Sequence, residues 1–355
     1  MKTLEQLLRP NIRHLKPYSS ARDEYSGEAA VFLDANENPF NAPYNRYPDP
    51  YQRELKKHIA RAKGVSSEKI FLGNGSDEAI DIVLRAFCEP GIDNIVSIVP
   101  TYGMYQVAAD INNIEVRKAL LTRDYQLDPK AVLNKVDEHT KVIFLCSPNN
   151  PTGNCFREEH ILEVLETFEG IVVLDEAYID FATDKSWLPR LNAWKRLVIL
   201  QTFSKAWGMA GIRLGMAFAD EAIINTFSKI KYPYNINLLT QKKALEFLEK
   251  NQETMQMWVK ELLDEKKKLI KELKAIPFVQ KIFPSDANFL LIKTENPQNI
   301  YNFLVDKKII IRDRSSVTLC EGCLRVTVGA PKENQLLVRA LKMFQSTKNS
   351  SIPLS

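Results

Sequence analysis

Between about residues 50 and 220 the chain repeats one pattern: a short run rich in Val, Ile and Leu, an amphipathic segment, and another short apolar run. The runs are "KIFLGNG", "NIVSIVP", "KVIFLCS", "IVVLDEAY", "LVILQTF" and "IRLGMAFA". Their hydrophobicity is continuous rather than alternating, so they read as strands buried on both faces. Amphipathic segments between such strands imply right-handed helical crossovers, and the expected product is a mostly parallel sheet flanked by helices. "QRELKKHIARAKG" reads as one of these helices, stopped by Gly64. Another starts after "GNG", with Ser76 as its expected N-cap and Asp77 and Glu78 in its first turn.

Residues 237–275 read as one long, lysine-rich helical stretch. The apolar segments "FVQKIF", "NFLLIKT", "IIIRD" and "CLRVTVG" follow, with helical segments near 297–307 and 331–346, and predict a smaller α+β unit. The expected division is residues 1–44 as an N-terminal segment packing on the small domain, 45–270 as the large domain, 271–345 as the small domain, and 346–355 as a flexible tail.

Composition narrows the function classes. Lys and Arg are interleaved with Asp and Glu to a net charge of +4, which gives no nucleic-acid footprint. No 18 apolar residues run together, so no membrane span is expected, and "MKTLEQLLRPNIRH" lacks the apolar core of a secretory signal. The five cysteines (Cys88, Cys146, Cys155, Cys320, Cys323) are an odd number and read as reduced thiols of the cytoplasm. "CEGC" stands alone and the four histidines are scattered, so no metal centre is expected.

In an open parallel sheet, ligands bind at the carboxyl ends of the strands, and four polar features fall there. "GNGSD" (73–77) joins glycines to a helix start, a phosphate cradle of free amides and positive dipole or a plain turn. "SPNNPTG" (147–153) offers Asn150, whose amide is free to meet a ligand if the segment is more than a turn. Asp175 ends an apolar run and needs a cationic partner, either a structural ion pair or a protonated ring nitrogen. Lys205 closes the run "LVILQTF" and is followed by a glycine-rich turn and Arg213. A lysine with a depressed pKa forms a Schiff base with an aldehyde and later moves a proton. An aspartate opposite a pyridinium nitrogen lets the ring accept electrons. A phosphate-bearing aldehyde ring, pyridoxal 5′-phosphate, uses all four features at once.

"SPNNPTG", "DEAY" and "SKAWGMAGIRLG", in this order, resemble the class I/II aminotransferases of fold type I. "LDANENPF", "NRYPDPY", "GNGSDEAID", "AFCEPGID", "PTYGMY" and "GCLRVTVG" narrow the resemblance to the family acting on histidinol phosphate, over nearly the whole chain. The resemblance implies the fold-type I architecture, a large domain of mostly parallel sheet with a smaller α+β domain. It implies that Lys205 carries the cofactor and is the acid/base, that Asp175 pairs with the pyridine nitrogen, and that Tyr178 and Asn150 bond the ring's phenolic oxygen. Tyr102 would stack on the ring, unless it is a core aromatic. Ser76, Asp77, Thr202, Ser204 and Arg213 would surround the cofactor phosphate, with Tyr47 reaching it from a neighbouring subunit of a homodimer with shared sites.

The family positions for substrate fall on Tyr18, Asn36, Arg312 and Arg325. A dianionic phosphate calls for more donors than one guanidinium fork supplies, and Arg312, after three isoleucines, would be the second. Glutamate and 2-oxoglutarate would share the pocket in a ping-pong transamination. In a departure from many relatives, only six residues, "FNAPYN", separate "NENP" from "RYP", which bears on Tyr47 and the dimer contact. The rival readings are an aromatic aminotransferase or a phospho-amino-acid decarboxylase of the same fold, and a non-catalytic sensor of the cofactor. A sensor would usually carry a DNA-binding segment, and no helix-turn-helix pattern precedes residue 33.

Overall fold

The computed structural model of the chain describes residues 3–19, 21 and 31–350. Its strands β1 (Ile70–Asn74), β2 (Asn94–Val99), β3 (Glu115–Leu120), β4 (Thr140–Cys146), β5 (Ile171–Asp175), β6 (Leu197–Thr202) and β7 (Leu214–Phe218) form one sheet. The order is β1-β7-β6-β5-β4-β2-β3, with β2 to β6 parallel and β7 antiparallel to both of its neighbours. The sheet is therefore mostly parallel, as the apolar runs predict.

Alternate residues along each strand feed opposite cores. Ile143, Leu145, Val172 and Leu174 join the core on one face. Val142, Phe144, Ile171 and Val173 join the core on the other, beneath the Ser76–Phe87 helix. Both faces are covered, which is why the runs carry no polar alternation. Strand β3 is absent from the sequence reading for the converse reason: it is an edge strand, "EVRKAL", with Ala119 as its one buried residue.

The smaller antiparallel sheet holds β8 (Val279–Ile282), β9 (Phe289–Thr294), β10 (Arg312–Asp313) and β11 (Cys323–Thr327), in the order β10-β11-β9-β8. Leu290, Ile292, Leu324 and Val326 pack beneath the Pro297–Asp306 and Pro331–Ser350 helices in a core of their own.

Four expectations are corrected. Residues 3–13 pack on the large sheet's helical layer, not on the small unit. Their apolar stripe buries Leu7 and Ile12 in the core that holds Ile80, Val83 and Phe87, and Arg9 pairs with Glu89 at 3.2 Å. The 237–275 stretch is two helices, Leu238–Lys250 and Gln252–Lys274, parted at Asn251. The isoleucines of "IIIRD" are not a strand: Ile310 is exposed, Ile311 is buried, and Arg312 itself opens the two-residue β10. The final helix runs to Ser350, so residues 346–350 are helical, and 351–355 lie outside the described residues.

Candidate active site

Strands β1, β4, β5 and β6 all point the same way, so their carboxyl ends lie along one edge of the sheet. Strand β7 runs the other way and starts at that edge, which brings Arg213 there as well. The cavity at this edge has a volume of about 160 Å³ and is lined by Gly75, Ser76, Asp77, Tyr102, Cys146, Asn150, Asp175, Ala177, Tyr178, Thr202, Ser204, Lys205 and Arg213. Every residue assigned above to the cofactor is among them except Tyr47.

One wall is a helix start. Gly75, not Ser76, is the N-cap of the Ser76–Phe87 helix, with φ +72, so the Ser76 hydroxyl has no capping bond. The first amides of a helix lack intrahelical acceptors and sit at the positive end of its dipole. Arg213 stands beside them, its guanidinium 3.6 Å from Asp77 and 3.4 Å from the Ser204 hydroxyl. A Cβ on residue 75 would come 2.6 Å from that guanidinium, so glycine alone allows the approach. Thr202 supports this wall from behind: its hydroxyl donates to the Leu214 carbonyl and accepts from the Ser204 amide.

The floor is Asp175, which is 2% exposed. It accepts hydrogen bonds from the Tyr105 hydroxyl at 2.6 Å and the Ala177 amide at 3.0 Å, and forms no ion pair among the described residues. Burial raises its carboxyl to about 6, against the pull of the Tyr105 and Ala177 bonds. Tyr105 is the residue the sequence reading overlooks. It is fully buried, stacked on Phe144 at 4.9 Å, and looks like ordinary core in the motif "PTYGMY". Its neighbour Tyr102 is half-buried on the cavity wall, edge-on to Tyr105, and donates to Asp77 at 3.1 Å.

Across the cavity, Lys205 stands exposed, with its Nζ 5.5 Å from the centre of the Tyr178 ring. Desolvation by the cavity walls and the nearby Arg325 lower its pKa below the ordinary lysine value, while Asp175 and Asp77 oppose them. Burial raises the Tyr178 phenol, and the Arg325 guanidinium pulls it back. Tyr178 packs edge-on against Phe289 of β9 at 5.0 Å, and Arg325 of β11 lies over the Phe289 ring at 5.3 Å. Arg325 also donates to the Asn150 side chain, so the small sheet closes on the cavity through Arg325 and Phe289.

The substrate candidates are more scattered. Arg312 is directly opposite Arg325 in the β10–β11 pairing and is exposed. Tyr18 is 65% exposed and lies outside the cavity lining. Asn36 and Tyr47 share a separate surface depression, where Tyr47 stacks on Tyr234 at 4.4 Å. Among the described residues, no group of three His, Cys, Asp or Glu could hold a metal ion. No described helix is long and apolar enough to cross a membrane.

These residues fit a phosphorylated pyridine aldehyde. A dry carboxylate without a counter-ion awaits a protonated nitrogen, and a helix start beside a guanidinium awaits a phosphate. An amine of lowered pKa stands across the cavity for the aldehyde. Fold and site together define an aminotransferase. The family profile for aminotransferase class I and II matches residues 28–341, and as a member of that family the chain takes pyridoxal 5′-phosphate as its cofactor.

A histidinol-phosphate aminotransferase from Parabacteroides distasonis is 58% identical over 342 residues, covering 96% of this chain and 99% of that protein. Another, from Cytophaga hutchinsonii, is 51% identical over 346 residues, covering 96% and 99%. The crystal structure of the Clostridium acetobutylicum histidinol-phosphate aminotransferase superposes with a TM-score of 0.79 at 27% identity, covering 86% of this chain and 92% of that one. Within its class, the chain belongs to the histidinol-phosphate aminotransferase family.

The Tyr105–Asp175 bond gives a first prediction. In ¹³C-aspartate NMR of the apoprotein, Asp175 is expected to titrate at about 6. Tyr105→Phe removes a donor to the charged form, so the midpoint should rise by about one to two units. Because the folded pKa is raised, the carboxylate is lost as pH falls through that midpoint, and the variant should lose it at higher pH. An unmoved midpoint would mean that Tyr105 only fills space.

Proposed function

We propose that the chain transfers the amino group of L-histidinol phosphate to 2-oxoglutarate, giving 3-(imidazol-4-yl)-2-oxopropyl phosphate and L-glutamate, a step of histidine biosynthesis in the cytoplasm. The observation that carries the substrate reading is the pair Arg312 and Arg325, facing each other across β10 and β11 with no carboxylate partner among the described residues. One guanidinium suffices for a carboxylate, and a phosphate dianion calls for two.

The cofactor supplies an electron sink for the carbanion formed when the substrate loses its Cα proton. Lys205 moves that proton, and its lowered pKa leaves more of the neutral amine at pH 7 to accept it. Asp175 keeps the ring nitrogen protonated, with Tyr105 holding the carboxylate charged. Tyr178 and Asn150, on the cavity wall, would bond the ring's phenolic oxygen, and Tyr102 would cover the ring face. Ser76, Asp77, Thr202, Ser204 and Arg213 form or support the phosphate cradle. Arg325, already turned to Asn150, takes the substrate anion. Tyr18 and Asn36 are the remaining substrate candidates, taken from the family pattern, with residues 45–270 as the large unit and 271–345 as the small one.

We assign Tyr47 to the cofactor phosphate of a neighbouring subunit. Its exposed position, outside the cavity of its own chain, suits a homodimer with shared sites. Sedimentation of a monomer that retains full activity would remove this assignment.

The test is a single turnover. Cofactor-loaded protein mixed with L-histidinol phosphate, without an oxo-acid, should release one equivalent of the 2-oxo phosphate per site, read by mass spectrometry. Release of an oxo-acid from aromatic amino acids alone would move the chain to the aromatic aminotransferases. Arg312→Ala is expected to lower kcat/KM for histidinol phosphate by about 30-fold or more while changing that for glutamate several-fold less, because a charge-assisted pair is lost from one substrate only. Equal losses would show that the phosphate binds elsewhere.

A further inference from the structure

We infer that Arg314 is a third guanidinium of the substrate-anion site and that it sets the preference for a phosphate dianion over a carboxylate. The inference rests on the substrate reading above and adds to it a residue outside the positions taken from the family pattern.

The placement follows from the strand period. Leu324 and Val326 of β11 point into the small core, so Arg325 between them and Cys323 before them point to the opposite face. Phe289 and Tyr178 lie on that face, toward the cavity. Arg312 is paired with Arg325, and the Arg314 amide donates to the Cys323 carbonyl at 2.9 Å, which extends the pairing by two residues. Arg312 and Arg314 are therefore on the face that carries Arg325. Their sequence neighbour Asp313 acts on Arg314 through its charge but forms no ion pair with it: its carboxylate accepts from the Ser315 amide at 2.8 Å and hydroxyl at 2.6 Å.

The charge on this face is not ion-paired. Among the described residues, none of the three arginines is in an ion pair, and the one side-chain hydrogen-bond acceptor of Arg325 is the neutral Asn150. Arg314 is half-buried, and its Nε is buried with no hydrogen-bond partner among the described residues. A buried N–H of a cation left unpaired is costly. Burial and the charge of Arg312 lower the Arg314 pKa, and Arg314 in turn acts on the Tyr178 phenol at the cavity wall. Three guanidinium groups on one face, with no ion-paired acid among the described residues, suit an anion of more than one charge. A carboxylate is satisfied by the fork of Arg325, whereas a dianionic phosphate has a second charge and a third oxygen to place.

The experiment compares the loaded wild-type enzyme with Arg314→Gln and Arg314→Lys. In Arg314→Gln the KM for histidinol phosphate should rise about tenfold or more, with kcat little changed, while the KM for glutamate stays within about twofold. Arg314→Lys should recover part of the loss. A phosphate monoester gains its second charge near pH 6, so the wild-type KM should fall as pH rises through about 6, and that fall should flatten in Arg314→Gln. The melting temperature of Arg314→Gln should equal or exceed that of wild type, because an unpaired like charge is removed. A purely structural arginine would lower it.

Equal rises in both KM values, or an unchanged pH slope, would overturn the inference. If Arg314→Gln does not fold, Arg314→Met, which keeps the stem of the side chain, reads the same ratio. Loss of fold in both would show a structural residue and also overturn it. Wild-type enzyme that does not turn over histidinol phosphate would instead sink the substrate reading, before any variant is compared.

Discussion

Replacing Lys205 with alanine is expected to lower the rate of transamination by about 10⁴-fold or more, since both covalent attachment and proton transfer are lost together. The fold should survive: Lys205 is exposed within the cavity, and a surface truncation away from packing changes stability by no more than about 0.5 kcal/mol. The same geometry that spares stability makes the residue irreplaceable in chemistry. Among the cavity-lining residues it is the one amine; Arg213, the other cation there, is a guanidinium committed to Asp77 and Ser204. Initial rates and thermal melts of the purified variant check both halves. Near-normal turnover would remove Lys205 from the mechanism.

The second large effect is expected from Gly215→Ala. Gly215 in β7 lies opposite Gly73 in β1, and the turn that opens the Ser76–Phe87 helix rests against its bare backbone. A Cβ there would overlap the Ser76 nitrogen and the Gly75 carbonyl carbon, and would come 2.7 Å from the Gly75 oxygen. These are backbone atoms and cannot swing aside as a side chain can. A loss of about 3 kcal/mol or more is expected. The displaced atoms are also the helix-start amides of the phosphate cradle, so cofactor affinity should fall by about tenfold or more. Denaturant unfolding of the apoprotein and a cofactor titration of whatever folds measure the two separately. Wild-type values for both would mean that the turn is not held against β7 in solution.

Much of the site was legible because each of its main residues closes an apolar run. Asp175 ends "IVVLD", Asn150 follows "VIFLC", and Lys205 follows "LVILQTF". A polar side chain directly after a buried strand stands at a sheet edge wherever that strand is placed, so the type and approximate address of these residues needed no coordinates. The glycines around Ser76 carried a similar local signal, although the cap itself fell one residue earlier, at Gly75. The residues missed had no such signal. Tyr105 sits inside a helix as any core aromatic would, and only its partner 70 positions away gives it a function. Arg314 reads as a surface charge until β10 and β11 are paired.

Residues 3–13 and β3 failed for related reasons. A short apolar stripe can be buried against any complementary face, and nothing local to Leu7 or Ile12 names the helix that will cover it. An edge strand buries so little that its pattern is that of a loop.

The sequence alone determined the succession of buried strands in the large sheet, their two-faced burial, and which polar residues follow them, because hydrophobic period and turn chemistry act within a few residues of the chain. The tertiary structure decided which ends meet. It set β7 between β1 and β6, so that Arg213 faces Ser204, and it brought Arg325 to Asn150 across 175 positions. Those meetings depend on strand order and on how two cores pack, and neither leaves a mark on the residues nearby in sequence.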